Sequence, residues 1–163
     1  MVDNNKSNGI VYLTRERLVE LEHELHQLKL KGRAEMAQKI GDARSHGDLS
    51  ENAEYDAAKE EQQHLELKIM KLEEMLSRVK IISADDMPND KIYILHNVKL
   101  VDLKTKEKFE YKLVSPEEAD LDQDKISVSS PLGKLLLGKK VDEEIELNVP
   151  AGKLKFKIIE FHK

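Results

Sequence analysis

The sequence predicts an α+β protein in two parts. The first, residues 1–82, is an N-terminal antiparallel coiled-coil hairpin with an acidic tip. The second, residues 83–163, is a strand-rich C-terminal domain. Three observations carry this division. Leu18, Leu21, Leu25 and Leu28 recur at three-four spacing, the seam of a coiled coil. A second seam, Ala58, Gln62, Leu65, Ile69, Leu72, Leu76 and Val79, alternates steps of four and three. After Ile82 the turn-rich stretch Asp85-Asp86-Met87-Pro88-Asn89-Asp90 ends the helical pattern and strand-like runs begin.

Taken in order, residues 1–11 read as a frayed lead-in. Thr14 is a good N-cap, since its hydroxyl can accept an early backbone N–H. Gly32 falls on the first seam and weakens it, and Ala37, Ile40 and Ala43 resume an apolar face of small residues. The second helix is expected from about Ser50 to Val79. No proline interrupts either helix, and the connection between them is too short for a parallel return, so they pack antiparallel. Each has roughly 30 residues, which makes an arm about 45 Å long. Strands are expected over residues 93–103, 108–114, 125–129, 143–149 and 153–161. The last alternates Leu154, Phe156 and Ile158 with Lys155 and Lys157. A short helix interrupts them, capped by Ser130, with Pro131 at its first position and Gly138 at its end.

Composition narrows the function classes. With no cysteine there is no disulfide framework and no thiolate metal site. No apolar run approaches the ~20 residues of a membrane span, and the polar start, Asp3 to Lys6, has no signal-peptide pattern. The expectation is a cytoplasmic protein without a membrane partner. Residues 1–82 carry 13 basic and 16 acidic side chains, and residues 83–163 carry 14 and 16. Neither half is a free-standing nucleic-acid binder, so contact with nucleic acid must be local or arranged by a partner.

The charge is concentrated at the turn of the hairpin. Between Asp42 and Glu61 stand seven acids and two bases, Arg44 and Lys59. Asp48 and Glu51 are three apart, which puts them on neighbouring positions of one helical face. Two such carboxylates can share a hard divalent cation such as magnesium, but too weakly without ligands from elsewhere. They can equally form a capping box, Asp48 at the N-cap and Glu51 at the third position, and Ser50 is an alternative cap. Arg44 and Lys59 can contact a phosphate backbone or simply neutralise an acidic turn. No histidine pair has the H-E-x-x-H spacing, and G-x-x-x-x-G-K-[ST] and G-x-S-x-G are absent. The residues alone define no self-contained active site.

The tip sequence is specific. Ala43-Arg44, Gly47-Asp48-Leu49-Ser50-Glu51-Asn52-Ala53-Glu54-Tyr55 and Ala57-Ala58-Lys59-Glu60 closely resemble the tip signature of the Gre family of bacterial transcript-cleavage factors, on its GreA-like side. Glu118-Ala119-Asp120, Ile126 to Lys134 and Leu137-Gly138-Lys139 match a second family segment, and the likeness spans about residues 10–162. The resemblance implies a coiled-coil hairpin followed by an FKBP-like domain. It implies a factor that is not itself an enzyme. Such a factor enters the secondary channel of RNA polymerase and stimulates cleavage of the RNA 3′ end extruded by a backtracked complex. It implies that Asp48 and Glu51 assist a Mg2+ shared with the polymerase active centre and bound only in that complex. Arg44 and Lys59 then lie near the RNA, and Ser129, Ser130 and Pro131 dock on the polymerase. The factor is expected to act as a monomer. Two positions depart from the family pattern: Ser50 stands where lysine is frequent, and Lys59 where arginine is common. The competing readings are a non-catalytic channel binder that regulates or inhibits polymerase and a generic coiled-coil adaptor.

Overall fold

The computed structural model describes residues 9–47 and 52–163. The chain forms two compact units, one built on Glu16–Val79 and the other on Tyr12–Arg15 with Lys80–Lys163. A two-stranded ribbon, β1 (Val11–Leu13) with β2 (Val79–Ile81), joins the chain segments that lead into and out of the helices.

The helical unit begins with α1 (Arg15–Gln27), passes through a π-helical turn at Leu28–Gly32 and continues as α2 (Arg33–Ser45). The return helix is α3 (Ala53–Leu76), about 36 Å long at 1.5 Å per residue. It starts and stops inside the expected limits. Ion pairs mark the antiparallel register: Lys29 with Glu73, Arg33 with Glu66 at 2.8 Å, and Lys39 with Glu61 at 2.5 Å. Leu21, Ile40, Ala43, Ala58, Ile69 and Leu72 are buried between the helices. Ala37, expected on the seam, is exposed, and Met36 is half-buried in its place. Steps of four from Gly32, through Met36 to Ile40, carry the apolar face past Ala37.

Gly32 also differs from expectation. A Cβ there would lie 3.1 and 3.3 Å from the two δ-carbons of Leu65. The position closes a π-turn, where i→i+5 bonding admits an extra residue into the helix, and faces the partner helix directly. It is not a plain helix interior.

The second unit is a five-stranded sheet in the order β5-β4-β3-β7-β6. Its strands are β3 (Asn97–Asp102), β4 (Lys108–Val114), β5 (Lys125–Ser127), β6 (Glu144–Val149) and β7 (Gly152–His162). β5 runs parallel to β4 and the other pairs are antiparallel, with a register shift between Lys99 and Leu100 against β7. β3 alternates half-buried and buried side chains along its length, the pattern of a strand with one face on a core. That core is Ile92, Val98, Leu100, Leu113, Ile126, Leu136, Ile145, Phe156 and Ile158. Leu136 comes from α4 (Pro131–Leu136).

Two strand limits were set too wide. Residues 93–96 are not strand, because Leu95 takes φ 71° while its N–H bonds the carbonyl of Leu113 at 2.7 Å. β5 stops at Ser127, because Ser129 and Ser130 turn back onto Ser127 through hydrogen bonds. Among the described residues no helix is long and apolar enough to cross a membrane.

Candidate functional site

The tip of the helical pair is held together by backbone caps and one short network. α2 ends at Ser45, and Gly47 follows at φ 102°, a conformation that glycine adopts without a Cβ penalty. α3 starts at Ala53, and its N-cap is Asn52, whose side chain accepts from the Tyr55 N–H at 3.1 Å. Asn52 thus takes the capping role expected of Asp48 or Ser50, which lie outside the described residues. The Asn52 amide also donates to the carbonyl of Ala43 at 2.6 Å. Ala43 and Ala58 are both buried, and their small side chains permit the close approach this bond needs.

Around that junction lie the two expected bases. The Arg44 guanidinium sits 5.6 Å from the centre of the Tyr55 ring, a cation–π distance, with Nη2 at 3.5 Å from the hydroxyl. That contact, with the charges of Arg44 and Lys59, lowers the Tyr55 pKa from its ordinary value. Lys59 is half-buried and donates to Gln62 Oε1 at 2.8 Å. The structure therefore brings Arg44, Tyr55 and Lys59 into one cluster. His46 Nε2 stands 3.7 Å from Glu54. Asp48 and Glu51, the candidate metal-assisting acids, lie outside the described residues. Among those described, no group of three or more His, Cys, Asp or Glu side chains could hold a metal ion.

The second candidate surface is the turn at Ser129, Ser130 and Pro131. Ser130 caps α4 as expected: its Oγ accepts from the Gly133 N–H at 3.0 Å and donates to the Ser127 carbonyl at 2.6 Å. Ser129 N–H donates to Ser127 Oγ at 3.1 Å, and the two hydroxyls are 2.7 Å apart. Gly133 is required here, because a Cβ would fall 2.0 Å from the Ser127 carbonyl oxygen. Beside this rigid turn opens an apolar cavity of about 480 Å³, lined among others by Tyr111, Leu121, Ile126, Pro131 and Leu132. Leu121 is 78% exposed at its edge. Sequence reasoning did not single out Asn52 and Tyr55, which the structure places at the junction of α2 and α3. The signal for Asn52 was present: it is one of the favoured N-cap residue types, a few positions ahead of the periodic run that begins at Ala58.

A paired-helix unit whose connection is acidic in sequence is followed by a strand-rich unit bearing a rigid Ser-Ser-Pro turn. Residues 11–81 match the family described as "Transcription elongation factor, N-terminal", and residues 87–163 match "Transcription elongation factor, GreA/GreB, C-term". The chain is 49% identical over 151 residues to transcription elongation factor GreA of Chlorobaculum parvum, covering 92% of this chain and 95% of that protein. It is 51% identical over 154 residues to GreA of Chlorobium phaeobacteroides strain DSM 266, covering 94% and 97%. The solved structure of GreA factor homolog 1 from Thermus thermophilus is 29% identical, with a TM-score of 0.42 and coverage of 94% and 99%. The chain belongs to the GreA/GreB family of transcription elongation factors.

Proposed function

We propose that this protein stimulates cleavage of the RNA 3′ end extruded from backtracked complexes of bacterial RNA polymerase, acting through the polymerase secondary channel. Asp48 and Glu51 are the residues that assist the reaction, and the polymerase provides the catalytic centre. The observation that supports this most is the way the tip is capped. Asn52 serves the N-terminus of α3, so the helix does not need Asp48 or Glu51 for its cap. A pair of carboxylates suits a hard divalent cation but is too few to hold one alone. Polymerase carboxylates complete the set in this reading. The shared Mg2+, when bound, activates water and stabilises the attacking and leaving oxygens. Arg44 and Lys59 flank the tip, and their positive charge lies where extruded RNA would pass. The Ser129-Ser130-Pro131 turn, stiffened by its hydrogen bonds to Ser127 and adjoining the apolar cavity, is the surface that docks on the polymerase.

The test is cleavage in stalled, backtracked complexes with wild-type protein, Asp48→Asn and Glu51→Gln. Each substitution keeps size and hydrogen-bonding capacity while removing charge. The saturated cleavage rate is expected to fall about 10- to 100-fold, the range for losing a group that supports a bound metal. The concentration for half-maximal effect stays the same, because docking belongs to the other unit. Wild-type cleavage by either variant at limiting Mg2+ rejects the metal-assisting role. If the double variant still regulates transcription as strongly as wild type, the protein is a channel plug.

A further inference from the structure

Asn52 serves both helices with one side chain. Its Oδ1 accepts from the Tyr55 N–H at 3.1 Å, in the first turn of α3, and its Nδ2 donates to the Ala43 carbonyl at 2.6 Å, in the last turn of α2. The first turn of a helix leaves N–H groups without intrahelical acceptors, and the last turn leaves carbonyls without donors. The amide serves one group at each end, sharing the Ala43 carbonyl with the His46 N–H, which reaches it at 3.4 Å. Its orientation is fixed by the partners, since a backbone N–H only donates and a carbonyl only accepts.

Few side chains can replace it. Aspartate supplies the acceptor but no donor, and sets a negative charge against the Ala43 carbonyl. Serine supplies a cap but lacks the reach. The bridge also needs the helices close together, which the buried Ala43 and Ala58 allow. On the α2 side Ala43 is followed directly by Arg44, which packs on Tyr55, so a second contact pins the same junction.

Residues 43 and 52 are thus tied directly to each other, and the stretch between them carries Asp48 and Glu51. We propose that Asn52 is the positioning residue of the tip: by clamping the end of α2 to the start of α3 it fixes how the two helix ends that carry Arg44, Tyr55 and Lys59 meet, for work on the polymerase-bound RNA. It touches no reacting atom. The proposal rests on the functional reading above.

The experiment measures cleavage in backtracked complexes with wild-type protein, Asn52→Asp and Asn52→Ser across a range of protein concentrations. Both variants retain an α3 cap acceptor, so the helical pair folds. Hydrogen exchange at Ile69 and Leu72, buried well away from the tip, verifies this. The expected result is a fall of about 10- to 100-fold in saturated rate for both variants, the scale of a small misplacement of reacting groups, with the half-maximal concentration unchanged. Similar falls for a charged and a neutral replacement identify the lost bridge, not the added charge, as the cause. Either variant cleaving at the wild-type rate overturns the clamp. So does a loss of rate that comes with lost protection at Ile69 and Leu72, since that is general destabilisation. Wild-type protein that fails to stimulate cleavage overturns the functional reading, and with it the role given to Asn52.

Discussion

The helical pair and the sheet unit hold their chains together in different ways. In the sheet unit nine apolar side chains form one cluster, and Ile92, Val98, Leu100, Leu113, Leu136 and Ile158 are fully buried within it. The helical pair buries Leu21, Ile40, Ala43, Ala58, Ile69 and Leu72; two of these are alanines, and of the six only Ile69 is fully shielded. What crosses between the helices elsewhere is charge: Arg33 grips Glu66 through two bonds of 2.8 Å, and Lys39 meets Glu61. All of these side chains are about half exposed, and exposed ion pairs contribute little to stability. They fix register more than they hold the helices together. The helical pair keeps a wet surface along its length, and the sheet unit keeps its stability in a core.

The sharpest way to break this contrast is to truncate the sheet core. Leu100→Ala should destabilise the sheet unit by about 2–5 kcal/mol. Domain-resolved hydrogen exchange should show the loss confined to β3, β4 and β7. In the wild type, amides of α1–α3 should exchange before those of the sheet, since local opening follows the number of buried apolar contacts. If seam amides outlast strand amides, or fall together with them in Leu100→Ala, the two units do not differ as described.

A smaller effect comes from His96, which belongs only to the sheet side of the comparison. It is fully buried, stacked on Phe161 at 5.6 Å and edge-on to Tyr93 at 5.9 Å. Nδ1 receives the Tyr93 N–H at 3.4 Å, while Nε2 is buried without a partner. Burial, with smaller contributions from the charges of Lys163 and His162, depresses its pKa below the ordinary value, about 6.5. The unfolded chain therefore takes up this proton at a higher pH than the folded one. The stability that neutral His96 contributes is fully present above about pH 6.5 and is lost as the pH falls towards the depressed folded value. Melting of the sheet unit should drop through that window, and His96→Phe should flatten the drop. An unchanged pH slope in the variant would mean that other groups set it.

How much could be read in advance differs between the units for physical reasons. The second seam was legible throughout α3, because Ala58, Leu65, Ile69 and Leu72 keep the four-three spacing across the one polar interruption at Gln62. The α4 cap was legible because Ser130 and Pro131 act within one turn. The π-turn was not, because Leu28 to Gly32 keep an ordinary helical pattern and the extra residue shows only in the backbone. Leu95 was misread as strand. An apolar run favours that reading, and only its hydrogen bond to Leu113 obliges φ to become positive. The clamp at Asn52 needs a carbonyl nine residues earlier in the chain, a juxtaposition that local spacing does not reveal. The parallel pairing of β5 with β4 is likewise a property of the assembled sheet. The reading of the acids at 48 and 51 rests on charge and motif alone, since both lie outside the described residues.

The finest distinction lies at Gly32, where the helical pair departs from an ideal seam. Two effects oppose each other in Gly32→Ala. Helix propensity favours alanine by about 0.8–1.0 kcal/mol. Against it, the new methyl would stand 3.1 Å from one δ-carbon of Leu65 and 3.3 Å from the other, and overpacking a fitted contact costs about 1–3 kcal/mol. Leu65 is only half-buried, so its branch can yield and the cost should fall near the lower end. The two effects then nearly cancel, and the single variant should melt close to wild type. Removing the obstacle separates them. In a Leu65→Ala background the crowding is gone, and Gly32→Ala should recover its propensity gain of about 0.8–1.0 kcal/mol. The difference between the two backgrounds is the coupling between residues 32 and 65, measured by a double-mutant cycle on the thermal or denaturant unfolding of the helical pair. If the substitution stabilises both backgrounds equally, Gly32 is an ordinary helical glycine and the close approach to Leu65 has no energetic weight. A larger benefit once Leu65 is shortened would mean that the glycine is there to let the two helices meet.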